Sequence, residues 1–84
     1  MNKINIAIAG LGTVGSEVAK QLQINNEFLS KKAGRKLNLI AVSAKDKSKN
    51  RGFDQSKLNW FVEATDIASL NEVDLVVELI GGSD

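Results

Sequence analysis

The sequence predicts an α/β fold built on an open, doubly wound parallel sheet, and three observations carry that reading. A short apolar strand, Ile4-Asn5-Ile6-Ala7-Ile8-Ala9, runs without a gap into Gly10-Leu11-Gly12-Thr13-Val14-Gly15 and then into an amphipathic helical pattern. Two more apolar runs, Leu37 to Ser43 and Val73 to Ile80, read as strands. Taken in order, the chain reads strand, helix, strand, mixed connector, short helix, strand, which is the first half of such a sheet plus the strand that follows.

Each element has its own signature. Ile4, Ile6 and Ile8 alternate with Asn5, Ala7 and Ala9, so one face of the first strand is bulky and the other small, as suits a strand covered closely on both sides. From Thr13 onward Val14, Val18 and Leu22 recur every four residues with Gly15 and Ala19 beside them, a single helical stripe that fades at Asn25-Asn26. Glu27 to Lys36 is polar, with room for one more short helical turn and a break at Gly34. Leu37, Leu39 and Ala41, with Ile40 and Val42, form the second strand. Lys45 to Gly52 has no apolar period and reads as a loop. Phe53 to Phe61 contains a short helix or a third strand, with Trp60, Phe61 and Val62 expected against the sheet. Thr65 or Asp66 is placed to cap a short helix over Ile67 to Leu70. Val73 to Ile80 is the last strand, closed by Gly81-Gly82. Glu78 is an acid within that apolar run, where an unpaired charge is costly; a structural role is expected for it, at the sheet edge or against a group outside this chain.

Glycines spaced G-x-G-x-x-G between a buried strand and a helix form the pyrophosphate-binding turn of a dinucleotide fold. Gly10 lets the chain turn sharply off the strand. Gly12 lacks the Cβ that would hold the backbone away from a diphosphate. Gly15 lets the first helical turn lie close against the sheet. The first N–H groups of the helix then face the phosphates, and the helix dipole favours negative charge there. The fold is therefore expected to be Rossmann-type and incomplete, with 1–84 the N-terminal part of an NAD(P)-binding domain and the catalytic and substrate domain absent from this chain.

Composition removes several other chemistries. The 84 residues contain neither cysteine nor histidine, which excludes disulfides, thiolate chemistry and the commonest zinc ligands and general base. No metal site is expected. With 43% hydrophobic and 25% charged residues the chain is expected to be globular; it holds no apolar run of membrane-spanning length, and its first residues are expected to form a strand, not a signal peptide. A soluble, cytoplasmic protein is the expectation. The net charge of +1 is unevenly laid out: residues 31–51 hold eight cations against Asp46, and residues 52–84 hold seven acids against Lys57. The basic stretch has no interleaved aromatics, the stacking surface that a single-strand nucleic-acid binder uses.

Coenzyme choice turns on the end of the second strand. NAD-selective members of this fold place a carboxylate there for the adenosine ribose. This chain has Ser43-Ala44-Lys45 instead. Lys45 favours the extra phosphate of NADP, with a hydrogen bond from Ser43 and further charge from Lys47, Lys49 or Arg51; Asp46 as a displaced ribose acceptor is the route to NAD. Gly81-Gly82, at a strand's carboxyl end, permits close backbone approach to the nicotinamide half.

Three blocks together, Ile8 to Gly15, Ala41 to Lys49 and Val76-Val77-Glu78-Leu79-Ile80-Gly81-Gly82, resemble the N-terminal region of homoserine dehydrogenases, particularly the bacterial ones. The last block is the most specific. The middle block departs from the family in carrying Lys45 where arginine is usual, which exchanges a planar fork for a point charge. The resemblance implies reversible NAD(P)-dependent hydride transfer between L-homoserine and L-aspartate 4-semialdehyde, on the way to threonine, isoleucine and methionine. It implies that Gly10, Leu11, Gly12, Thr13, Val14 and Gly15 hold the pyrophosphate, Ser43, Ala44 and Lys45 the adenosine end, and Ile80, Gly81 and Gly82 lie near the nicotinamide ribose. The family's catalytic lysines and substrate-binding acids occur later in its sequences, so no catalytic residue is assigned here and this segment alone is expected to be silent. The full-length protein is expected to be a homo-oligomer acting on a small-molecule substrate, with no nucleic-acid or membrane partner. Two alternatives share the glycine turn. One is another NADP-linked oxidoreductase such as dihydrodipicolinate reductase. The other is a non-catalytic nucleotide-sensing module, which usually keeps an acid at the tip of the second strand.

Overall fold

Four parallel strands, in the order β3-β2-β1-β4, form the centre of the computed structural model, which describes residues 3–46 and 51–79. Strand β1 (Lys3–Ala9) pairs on one side with β2 (Lys36–Ser43) and on the other with β4 (Leu75–Glu78); β3 (Asn59–Phe61) flanks β2. The chain thus builds outward from β1 to β3 and then crosses back to place β4 on the far side of β1. That reversal is the topological switch point, and the crevice beyond the strand ends there is where ligands of open α/β sheets bind.

The two faces of β1 are covered as its alternation predicts. Ile6 and Ile8 pack with Leu11, Ala19, Leu22 and Val42 under helices α1 (Thr13–Ile24) and α2 (Asn26–Ala33). The small residues Ala7, Ala9 and Ala41 pack with Ile67, which comes from a 3-10 helix over Ala64–Ser69. Ala7, Ala9 and Ala41 are all at most 1% exposed, so only methyl-sized side chains let Ile67 approach this closely. Strict alternation would put Ala41 beside Leu39, yet the two lie in different layers. The register slips by one residue after Ile6, so that Leu39 faces Ile6 and Ala41 faces Ala7. Ile40 is the extra residue of this irregularity.

Several local expectations are corrected. The buried stripe of α1 runs through Gly15, Ala19 and Leu22, while Val14 is 62% exposed. Each four-residue step overshoots a full helical turn by about 40°, so Val14 lies about 80° round the helix from Leu22, at the edge of the buried stripe. The segment after Asn25 is a full two-turn helix, stopped by Gly34 in the left-handed region at φ 73°, and the N–H groups of Gly34 and Arg35 donate to the carbonyls of Lys31 and Ser30. That is the backbone ending expected of a glycine C-cap. Phe53 to Phe61 yields a three-residue strand and no helix. Neither Thr65 nor Asp66 caps the 3-10 helix; Glu63 precedes it, with no side-chain cap. Val62 is 54% exposed, whereas Trp60 and Phe61 are half-buried as expected. β4 is shorter than the apolar run that predicts it, and Glu78 is exposed on this outer strand.

Polar clamps fasten the irregular segments to this frame. Gln23 on α1 donates to the carbonyl of Asp54 at 2.7 Å and accepts from the Asp54 N–H at 2.9 Å. The Asp54 carboxylate accepts from the N–H and hydroxyl of Ser56 at 2.9 and 2.7 Å, which holds it below the usual carboxylate range. A carboxyl whose native value is depressed contributes stability above its ordinary range and loses it as the pH falls through the lowered value. Because the group is exposed the effect is small: Asp54→Asn is expected to lower the melting temperature slightly at neutral pH and to leave it unchanged in acid below that window. A thermal melt of both proteins across the acidic range checks this.

Candidate functional site

The site is built where β1 hands over to α1. Gly10 turns at φ 96°, a left-handed backbone that side chains rarely adopt. Its N–H and that of Leu11 donate to the carbonyl of Ser43 at 3.2 and 3.1 Å, and the Gly10 N–H also reaches the Ser43 hydroxyl oxygen at 3.0 Å. The carboxyl ends of β1 and β2, neighbours in the sheet, are thereby tied together. Ser43 is only 2% exposed; it holds the turn in place from below while lining the cleft floor.

Gly15 does its work through proximity. A Cβ built on it would lie 2.1 Å from the carbonyl oxygen of Gly10 and 3.1 Å from the carbonyl carbon. Backbone therefore occupies the space a side chain would need, and the first turn of α1 packs directly on the glycine turn. Gly12, the residue before α1, is extended at φ −78° and ψ −158°, a conformation open to any amino acid. Backbone conformation therefore does not demand a glycine here, and the residue lines the cleft.

The N-terminus of α1 is left bare. Among the described residues no side chain caps it, no acid stands in its first turn, and the first intrahelical bond runs from the Ser16 N–H to the Gly12 carbonyl at 2.9 Å. The N–H groups of the preceding residues have no partner within the helix. Helix geometry aims them, with the positive end of the dipole, back along the helix axis, on the side where Gly12 and Thr13 line a cleft.

That cleft has a volume of about 650 Å³. Of the residues expected to bind the coenzyme, Gly10, Leu11, Gly12, Thr13, Ser43, Ala44 and Lys45 line it. Val14 and Gly15 follow in the helix without lining it, Val14 exposed and Gly15 buried beneath the turn. Ile80, Gly81 and Gly82 lie outside the described residues, as do Lys47 and Lys49. The structure adds Ser16, Val62, Glu63 and Ala64, and brings in Asp46 and Arg51.

The wall beyond β2 is held by backbone and aromatic contacts. The Ala44 N–H donates to the Phe61 carbonyl at 3.0 Å, and the indole N–H of Trp60 donates to the Ala44 carbonyl at 3.0 Å. The Arg51 guanidinium lies 5.3 Å from the centre of the Trp60 ring and its Nε donates to the Leu11 carbonyl at 3.3 Å. Lys45 and Glu63 form an ion pair at 2.9 Å across the rim. By contrast Lys31, Lys32, Arg35 and Lys36 are exposed near the opposite end of β2, so the basic run of the sequence is not one surface patch. Among the described residues no group of acids could hold a metal ion, and no helix is long and apolar enough to cross a membrane.

A sequence profile described as the NAD-binding domain of homoserine dehydrogenase matches residues 10–84. Among sequence relatives, the homoserine dehydrogenase of Helicobacter pylori is 39% identical over 95% of this chain and 18% of its own length. That of Bacillus subtilis is 37% identical over 98% of this chain and 19% of its own length. A crystal structure of S. aureus homoserine dehydrogenase at pH 6.0 superposes with a TM-score of 0.77 at 33% identity, covering 98% of this chain and 21% of that one. The chain spans about a fifth of the length of these relatives. With the strand–glycine turn–helix geometry, the parallel sheet and these matches in agreement, the chain belongs to the homoserine dehydrogenase family, within that family's NAD-binding domain.

Proposed function

We propose that this chain is the N-terminal part of the dinucleotide-binding domain of a homoserine dehydrogenase, and that the whole protein transfers hydride reversibly between L-homoserine and L-aspartate 4-semialdehyde. The observation that carries the dinucleotide-binding part of this reading is the α1 N-terminus, uncapped among the described residues, above the Gly10–Gly15 turn in a cleft at the switch point of the sheet; the substrates follow from the family the chain belongs to. When bound, the nicotinamide supplies or accepts the hydride. This chain's own part is to bind and orient: N–H groups at the start of α1 for the pyrophosphate, and Ser43, Ala44 and Lys45 for the adenosine end. Ile80, Gly81 and Gly82 are assigned to the nicotinamide side by family resemblance. The groups that bind substrate and move its protons belong to other parts of the protein. A homo-oligomer working in the cytoplasm on a small amino-acid substrate completes the proposal.

NADP is the preferred coenzyme in this reading. Lys45 is 78% exposed at the rim, next to the strand tip where an NAD-selective site carries an acid. Asp46 also lines the cleft and is the residue through which NAD would be favoured. Lys45→Ala is expected to weaken NADP⁺ by about tenfold, the loss of one charge-assisted contact, and NAD⁺ by less than about twofold. Titration of both coenzymes by calorimetry measures the split; an equal loss for the two removes the phosphate from Lys45.

A further inference from the structure

We infer that Glu63 sets the coenzyme selectivity of this cleft by holding Lys45 in competition with the 2′-phosphate of NADP. The inference rests on the reading that Lys45 meets that phosphate. Sheet register builds the pair. Ser43 of β2 stands opposite Phe61 of β3, and the Ala44 N–H bond to the Phe61 carbonyl extends the match past the strand ends. Lys45 and Glu63 each lie two residues beyond the matched positions, and their side chains meet at 2.9 Å. Both line the same cleft as the glycine turn.

The chemistry then separates the two coenzymes. A ribose 2′-hydroxyl is neutral and gives Lys45 little reason to leave a carboxylate. A 2′-phosphate carries up to two negative charges and must draw Lys45 away from Glu63, while meeting the Glu63 carboxylate as a like charge. The side chains of Lys45 and Glu63 are 78% and 60% exposed, so the pair is a weak one, worth about fivefold or less in an equilibrium. Weakness is what makes it exchangeable. Among the described residues, the charged side chains that line the cleft are two bases, Lys45 and Arg51, and two acids, Asp46 and Glu63. Removing one acid therefore tips the rim toward a phosphate.

The test compares wild type, Glu63→Gln and Lys45→Ala in the full chain, with dissociation constants for NADP⁺, NAD⁺, 2′,5′-ADP and 5′-AMP measured by calorimetry. Glu63→Gln keeps the size and removes the charge at an exposed position, so the fold is left intact; Glu63→Lys serves as the charge-reversed control. Glu63→Gln should tighten NADP⁺ and 2′,5′-ADP by about three- to tenfold and leave NAD⁺ and 5′-AMP within about twofold. Glu63→Lys should extend the same trend, and the gain from Glu63→Gln should shrink in a Lys45→Ala background. If Lys45→Ala discriminates between the coenzymes but Glu63→Gln leaves their ratio unchanged or weakens NADP⁺, the role of Glu63 is refuted and the Lys45 reading stands. If Lys45→Ala weakens both coenzymes equally, the Lys45 reading fails and takes this inference with it.

Discussion

Gly15→Val is expected to abolish the cooperative fold of this chain at ambient temperature. Even the first carbon of the new side chain would lie 2.1 Å from the Gly10 carbonyl oxygen, a separation that real Cβ atoms do not reach. The obstacle is backbone, so no rotamer change relieves it. Either α1 lifts off the sheet or the turn at Gly10 opens, and both routes disturb the layer of Ile8, Leu11, Ala19 and Leu22. Overpacking a core typically costs about 1–3 kcal/mol, and a clash against fixed backbone belongs at or above the upper end. An 84-residue stretch buries a small core and by itself has only a marginal reserve. Urea denaturation followed by the fluorescence of Trp60, the single tryptophan, gives the measurement. A cooperative transition with an unchanged midpoint would show that the close approach of α1 to the turn is unnecessary.

Gly12→Val is expected to show the opposite profile: a preserved fold and a large loss of coenzyme binding. The extended backbone of Gly12 accommodates any residue, and its position lines the cleft at the start of α1. In the proposed complex a branched side chain there would stand between the incoming diphosphate and the N–H groups behind it. Losing one or two charge-assisted hydrogen bonds, each worth about 1.5–3 kcal/mol, weakens NAD⁺ and NADP⁺ alike by about a hundredfold. This equal loss distinguishes the variant from Lys45→Ala, which is expected to act chiefly on NADP⁺. The melting temperature of Gly12→Val should stay within a few degrees of wild type.

How much of this was legible in the residues depends on the range of the interaction that decides each feature. β1, the glycine turn, α1 and the end of β2 are set by local signals: alternating isoleucines, glycines at fixed spacing and a helical period. Each lies where the sequence predicts. Glu63 and Ala64 were invisible as cleft residues because their place follows from the register of β3, a strand of three residues too short to show a period. Val62 misleads for a related reason. An apolar residue after Trp60 and Phe61 reads as core, yet it follows the strand end and emerges on the cleft wall, 54% exposed. Val14 shows the limit of counting by fours along a helix, because the stripe rotates away from its first member. The general rule that strand ends gather at the ligand crevice, applied to β3, would have pointed to residues 62–64.

The central claim is that coenzyme phosphates sit on the backbone N–H groups at the start of α1. Amide chemical shifts of the labelled chain, followed by NMR during titration with NADP⁺, test it most directly. The largest changes are expected at Gly12, Thr13, Val14 and Gly15, with smaller ones at Ala44 and Lys45, and all of them should vanish in Gly12→Val. Saturable binding that leaves those four amides unmoved would contradict the assignment of this turn as the phosphate site.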